Sequence, residues 1–79
     1  MRTKEQDREW ENQYQVFKTW LNTQALPAGA DKELLLINAW DNACDVAIED
    51  MANCAIGTAS IIIDQKHDYP HIFNLNEGV

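Results

Sequence analysis

The sequence predicts an all-α protein: an antiparallel helical hairpin with one long second helix and an extended C-terminal tail, dimerising into a helical bundle. Three observations carry this. Ile37, Trp40, Cys44, Ala47, Met51, Cys54, Thr58 and Ile61 follow one another at steps of 3 and 4, a heptad-type seam. Trp10, Tyr14, Phe17 and Leu21 repeat the same spacing earlier in the chain. Between them, Leu26-Pro27-Ala28-Gly29-Ala30 interrupts helical geometry, because Pro27 disfavours the α region for Leu26 and Gly29 permits a turn.

The first helix is expected over about 4–26, with Trp20 on the flank of its apolar face and Glu11, Gln15, Lys18, Thr19 and Asn22 on its solvated side. Asp31 suits the N-cap of a second helix over about 31–65, and Glu33 falls in its first turn near the positive end of the helix dipole. A kink at Gly57 is compatible with this reading. The β-prone string Thr58 to Ile63 reads as helix rather than strand, because Thr58 and Ile61 keep the rhythm set by Met51 and Cys54. From His67 to Val79 the chain reads as a tail, with Pro70 ending any helix before it.

At 1.5 Å per residue the helices span roughly 33 and 50 Å, so about one third of the second has no partner within the chain. A second subunit or the folded-back tail would then cover Thr58, Ile61 and Ile62, and a homodimer is expected. Ala43, Ala47 and Ala55 would let another helix come close.

One domain fits in 79 residues, and a chain this short buries a modest fraction of its surface. Six basic residues stand against 13 acidic ones, a net charge of −7, which disfavours nucleic acid and anionic membrane as direct ligands and favours basic protein surfaces. The charged start of the chain and the short apolar runs predict neither a signal peptide nor a membrane span. Cys44 and Cys54, ten residues apart on one predicted helix, lie beyond disulfide reach and read as buried, reduced thiols of a cytoplasmic protein.

Opposite the seam, Asn38, Asp41, Asn42, Asp45, Glu49 and Asn53 fall within an arc of about 120° when successive residues turn by about 100°. Asp41, Asp45 and Glu49 are spaced i, i+4, i+8, with no neighbouring base to pair them. Such a stripe is a solvated face, a surface for a basic protein, or, if a second helix adds carboxylates, a metal site. No Glu-x-x-His or paired Glu-x-x-Glu accompanies it, and no cofactor is expected. Asp50 reads as the edge of the packed face, bonded to an Arg, Lys or Trp N–H. His67 and His71, with Asp64 and Asp68 near, are separated by Pro70, which removes the helical His-x-x-x-His geometry of zinc sites. Trp10, Trp20 and Trp40 read as core. Tyr69 and Phe73 are candidate apolar anchors for a partner. Nucleophile elbows, P-loops, dinucleotide fingerprints and Cys-x-x-Cys pairs are absent, so a binding protein rather than an enzyme is expected.

Asn38-Ala39-Trp40-Asp41-Asn42-Ala43-Cys44, with the Ala-rich stretch Val46 to Ala55, resembles the Ala-Trp-x-x-Ala helix of small accessory proteins of tailed bacteriophages. The resemblance covers about 18 residues and carries no functional residue across. It implies a context: a stoichiometric inhibitor, acting in a bacterial host's cytoplasm, that blocks the basic, nucleic-acid-binding surface of a host nucleoprotein, a nuclease or a defence complex such as a CRISPR effector. The rival reading is a structural or assembly module whose helices serve to dimerise. A carboxylate-dependent metal enzyme is a third.

Overall fold

The computed structural model describes residues 3–74. Within them the chain is all-helical: α1 (Lys4–Asn22), α2 (Lys32–Ala43), α3 (Met51–Asp64) and a single-turn α4 (Pro70–Phe73), with 3-10 turns at Ile48–Asp50 and Lys66–Asp68. No helix among the described residues is long and apolar enough to cross a membrane.

α1 begins with a capping box: Gln6 N–H donates to Thr3 Oγ1 (3.1 Å) and Thr3 N–H to Gln6 Oε1 (2.8 Å). It stops at Asn22, short of the expected residue 26, because Thr23 diverts both its hydroxyl (2.6 Å) and its backbone N–H (3.0 Å) to the Trp20 carbonyl. Gly29 then turns the chain with φ +89°, a conformation in which an L side chain is strained. Asp31 caps α2 as expected, accepting from Leu34 N–H at 3.1 Å.

The long second helix is two helices. Residues 44–47 leave helical geometry, and Ala47 is extended at φ −59°, ψ 146°. Asp31 N–H donates to Ile72 O at 2.6 Å, so the chain beyond α3 returns to the start of α2 and the two helices run in opposite directions. Asp45 and Val46 are weak helix formers, so little local stability opposes the break. The gain is burial: Leu35, Ala39 and Ala43 on α2 and Met51, Ala55, Ala59 and Ile62 on α3 are all buried. Full burial of each large member contributes about 1.5–3 kcal/mol, and the alanines let the two backbones approach. The expected seam is only partly the core: Trp40 and Met51 are buried, and Cys54 packs against the buried cluster. Ile37 and Ile61 are 52% and 56% exposed, and Cys44 and Ala47 face solvent, whereas Ile62 is buried in its own chain and cannot serve a dimer contact. Thr58 is half-buried.

The stretch Thr58 to Ile63 is helical, as expected, and Gly57 lies inside α3 rather than at a boundary. A mid-helix glycine weakens a helix by about 1 kcal/mol relative to alanine, and here a Cβ would meet no atom within 4 Å.

α1 packs across α3 and the Ile48–Asp50 turn, closing the core with Phe17 and Leu21. Trp40 is the centre of an aromatic cluster. Trp10 and Tyr14 meet it edge-on (centroids 5.4 and 5.3 Å), and Phe17 stacks on it at 5.9 Å and 11°. Trp10 and Trp20 are part-buried against this core.

The expected extended tail is also corrected. Pro70 starts a helical turn instead of ending one, because its missing N–H is no loss at a first helical position. That turn buries Ile72 and Phe73, and Asn74 Nδ2 bonds the Gly29 carbonyl. The remainder of the expected tail, 75–79, lies outside the described residues.

Candidate functional site

The site is assembled where α1 begins, α2 ends and α3 begins. Gln13 fixes it. Its Nε2 donates to Glu9 Oε1 (2.9 Å) and its Oε1 accepts from Ala52 N–H (2.8 Å), so a side chain of α1 satisfies one of the open amides at the start of α3. Asp50, which directly precedes α3, supplies no side-chain cap of its own. Replacing Gln13 by alanine should therefore lower stability by about 1 kcal/mol, read as a shifted urea midpoint.

This junction leaves a concavity of about 420 Å³ lined by Glu5, Gln6 and Glu9 of α1 and Ala47, Ile48 and Glu49 of the connecting segment. Three carboxylates thus share one cleft. In the same segments of the chain Asp7, Glu11, Asp41, Asp45 and Asp50 are all exposed. Residues 3–11 and 41–50 together hold eight acids (Glu5, Asp7, Glu9, Glu11, Asp41, Asp45, Glu49, Asp50) and two bases (Lys4, Arg8). The opposite end, 22–33 and 64–74, holds four acids (Asp31, Glu33, Asp64, Asp68) and two bases (Lys32, Lys66). The charge is polarised along the molecule.

Part of this acid has a local structural use. Glu5 and Asp7 lie in the first turn of α1, where negative charge is favoured by the helix dipole, and Glu11 accepts from Gln15 Nε2 at 3.1 Å. Asp41, Asp45 and Glu49 have no such role. The break at residues 44–47 removes their shared helix face, so the i, i+4, i+8 stripe does not exist as a straight row. They sit instead on the last turn of α2, the connecting segment and the 3-10 turn, all exposed.

Asn38, Asn42 and Asn53 are exposed as well, although the Asn38 amide is turned back to the Leu34 carbonyl at 2.7 Å. The contributions of Glu5 and Glu9 were missed by the reading of the second helix alone. Their i, i+4 spacing was the available signal; their proximity to Glu49 is a tertiary fact.

No family model, curated protein or solved structure matches the chain.

Other expected site residues are relocated. Phe73 is 2% exposed and belongs to the core, and Tyr69 is half-buried beside it, so neither is a free anchor for a partner. Asp50 is exposed rather than held at the edge of a packed face. Cys44 is exposed and Cys54 half-buried, against the expectation of two buried thiols; neither forms a disulfide. Cys44 ends α2 and Cys54 lies in α3, so the chain reverses between them and distance along one helix is not what keeps them apart. His67, His71, Asp64 and Asp68 are exposed, and among the described residues no group of three or more His, Cys, Asp or Glu is placed to hold a metal ion.

Proposed function

We propose that this protein is a small acidic binding protein whose polarised end docks on a Lys/Arg-rich surface of another protein. The observation that carries the reading is that Glu5, Glu9 and Glu49 line one cleft, with Asp41, Asp45 and Asp50 exposed in the adjoining segment and only two bases, Lys4 and Arg8, in residues 3–11 and 41–50. Glu5 and Glu9 have local structural uses, but Asp41, Asp45 and Glu49 are exposed with none, and like charges at neighbouring positions repel by a few tenths of a kcal/mol per pair, so folding alone does not select these three. A basic partner converts that repulsion into attraction and gains mainly in association rate. The nucleic-acid-binding groove of a nucleoprotein or nuclease, such as a defence complex of a bacterial host, is a surface of the required charge. Its occupant would act by covering it, without chemistry of its own.

The test is charge reversal with an internal control. Lysine at Asp41, Asp45 and Glu49, or at Glu5 and Glu9, should weaken binding to a Lys/Arg-rich peptide, whereas lysine at Asp64 and Asp68 should leave it nearly unchanged. Equal losses at both ends would reduce the acid to a solvated coat.

The alternative reading, an assembly module that pairs through a helical hairpin, is favoured by one feature: the exposed Ile61 on the outer side of α3.

A further inference from the structure

The cleft at the acidic end is more than a group of carboxylates. Ala47 and Ile48 line it together with Glu5, Gln6, Glu9 and Glu49, and Ile48 is anchored, packing on the core while it stays half-open to the cleft. Val46, Ala47 and Ile48 form an apolar strip between Asp45 and Glu49. The strip reaches the surface because the chain has left helical geometry: Ala47 is extended at φ −59°, ψ 146°, and Val46 is 37% exposed.

The acids around the strip differ in what they already bind. One oxygen of Glu9 accepts from Gln13 Nε2 at 2.9 Å, whereas the carboxylates of Glu5 and Glu49 accept no hydrogen bond among the described residues. All three line one cavity, yet no three such groups among the described residues are placed to close on a single metal ion. A cation that meets them has to be larger than a metal ion, with donors pointing several ways. It also has to bring apolar surface to cover Ala47 and Ile48.

We infer that the cleft takes an arginine side chain of the partner, a reading that rests on the proposed function and names the group at its centre. An arginine stem lies along apolar surface while its charged head stays at the polar rim. The guanidinium is planar, with five donors in a fixed fork, so one head addresses carboxylates on both walls, Glu5 and Glu9 of α1 and Glu49 of the 3-10 turn. It is also more weakly hydrated than an ammonium, which eases its entry into a half-enclosed apolar site; lysine offers a compact, strongly hydrated charge instead. The cavity, about 420 Å³, lies near the lower end of the roughly 300–1,000 Å³ of ligand pockets, which suits one long side chain and no folded element.

The test uses the full chain and two peptides of equal length and charge, one with arginine and one with lysine at every basic position. Wild type should bind the arginine peptide at least about fivefold more tightly, because forked, bidentate bonds add to the charge that both peptides share. Ala47→Leu fills the cleft without altering charge, and since Ala47 is exposed and outside any helix the circular dichroism spectrum should not change. In that variant the arginine preference should fall below about twofold, with affinity for the lysine peptide kept, because only the fork has lost its seat.

Should Ala47→Leu fail to fold, the Ile48 methyl resonances of the wild type carry the test: they should move with the arginine peptide, and methyls that stay still overturn the inference. Equal binding of the two peptides by the wild type overturns it and leaves the acidic-end reading intact. So does an arginine preference that a folded Ala47→Leu retains, which would belong to the acidic surface at large. Binding of neither peptide overturns both readings.

Discussion

Trp40→Ala should lower stability by about 3–5 kcal/mol, which for a domain this small leaves much of the population unfolded at ambient temperature. The size of the effect follows from position. Trp40 is 6% exposed, meets three aromatic rings at centroid distances of 5.3–5.9 Å, and joins the end of α2 to the middle of α1. Its removal leaves Trp10, Tyr14 and Phe17 facing a cavity that none of them can fill without leaving the others.

The Trp40 Nε1–H is buried with no hydrogen-bond partner among the described residues. An unsatisfied buried donor costs about 1–3 kcal/mol, so Trp40→Phe, which deletes the donor and keeps a stacked ring, should cost clearly less than the alanine variant. Urea unfolding followed by far-UV circular dichroism separates the two. Equal losses would mean that a phenyl ring at this position recovers none of the indole's packing.

The second large effect is on binding. Reversing Asp41, Asp45 and Glu49 to lysine changes the net charge by six, and affinity for a Lys/Arg-rich peptide should fall at least about tenfold at low salt, mostly through slower association. All three side chains are exposed, so stability should move by less than about 0.5 kcal/mol. For the wild type, binding should weaken as salt approaches about 0.5 M, where screening shortens to roughly 4 Å. Stopped-flow association rates across a salt series read both trends. A salt-independent rate would remove the electrostatic account.

The helical class and two of its boundaries were legible in the chain because they rest on local chemistry. Asp31 caps α2, and the Pro27–Gly29 segment separates the first two helices. The break at residues 44–47 was not legible. The steps of 3 and 4 from Ile37 to Ile61 pass through it unbroken, whereas the residues that pack, Leu35, Ala39 and Ala43 against Met51, Ala55 and Ala59, are mostly alanines with a weak apolar signal. Pro70 was misread because proline stops a helix from within but begins one well, and its neighbours do not say which applies.

The acids on the candidate site were individually visible as solvent-facing residues. Their grouping was not, since Glu5 and Glu9 reach Glu49 only after α1 packs on the Ile48–Asp50 turn and Gln13 meets Ala52.

The central claim is that one end of this protein, and not its acidity at large, binds basic surfaces. Its most direct measurement is a titration of the isotope-labelled full chain with a Lys/Arg-rich peptide, followed by amide chemical shifts. The account predicts shifts confined to Glu5 through Glu11 and Asp41 through Asn53, with Asp31, Asp64 and Asp68 still. Shifts spread in proportion to every acid, or centred on the other end, would contradict it.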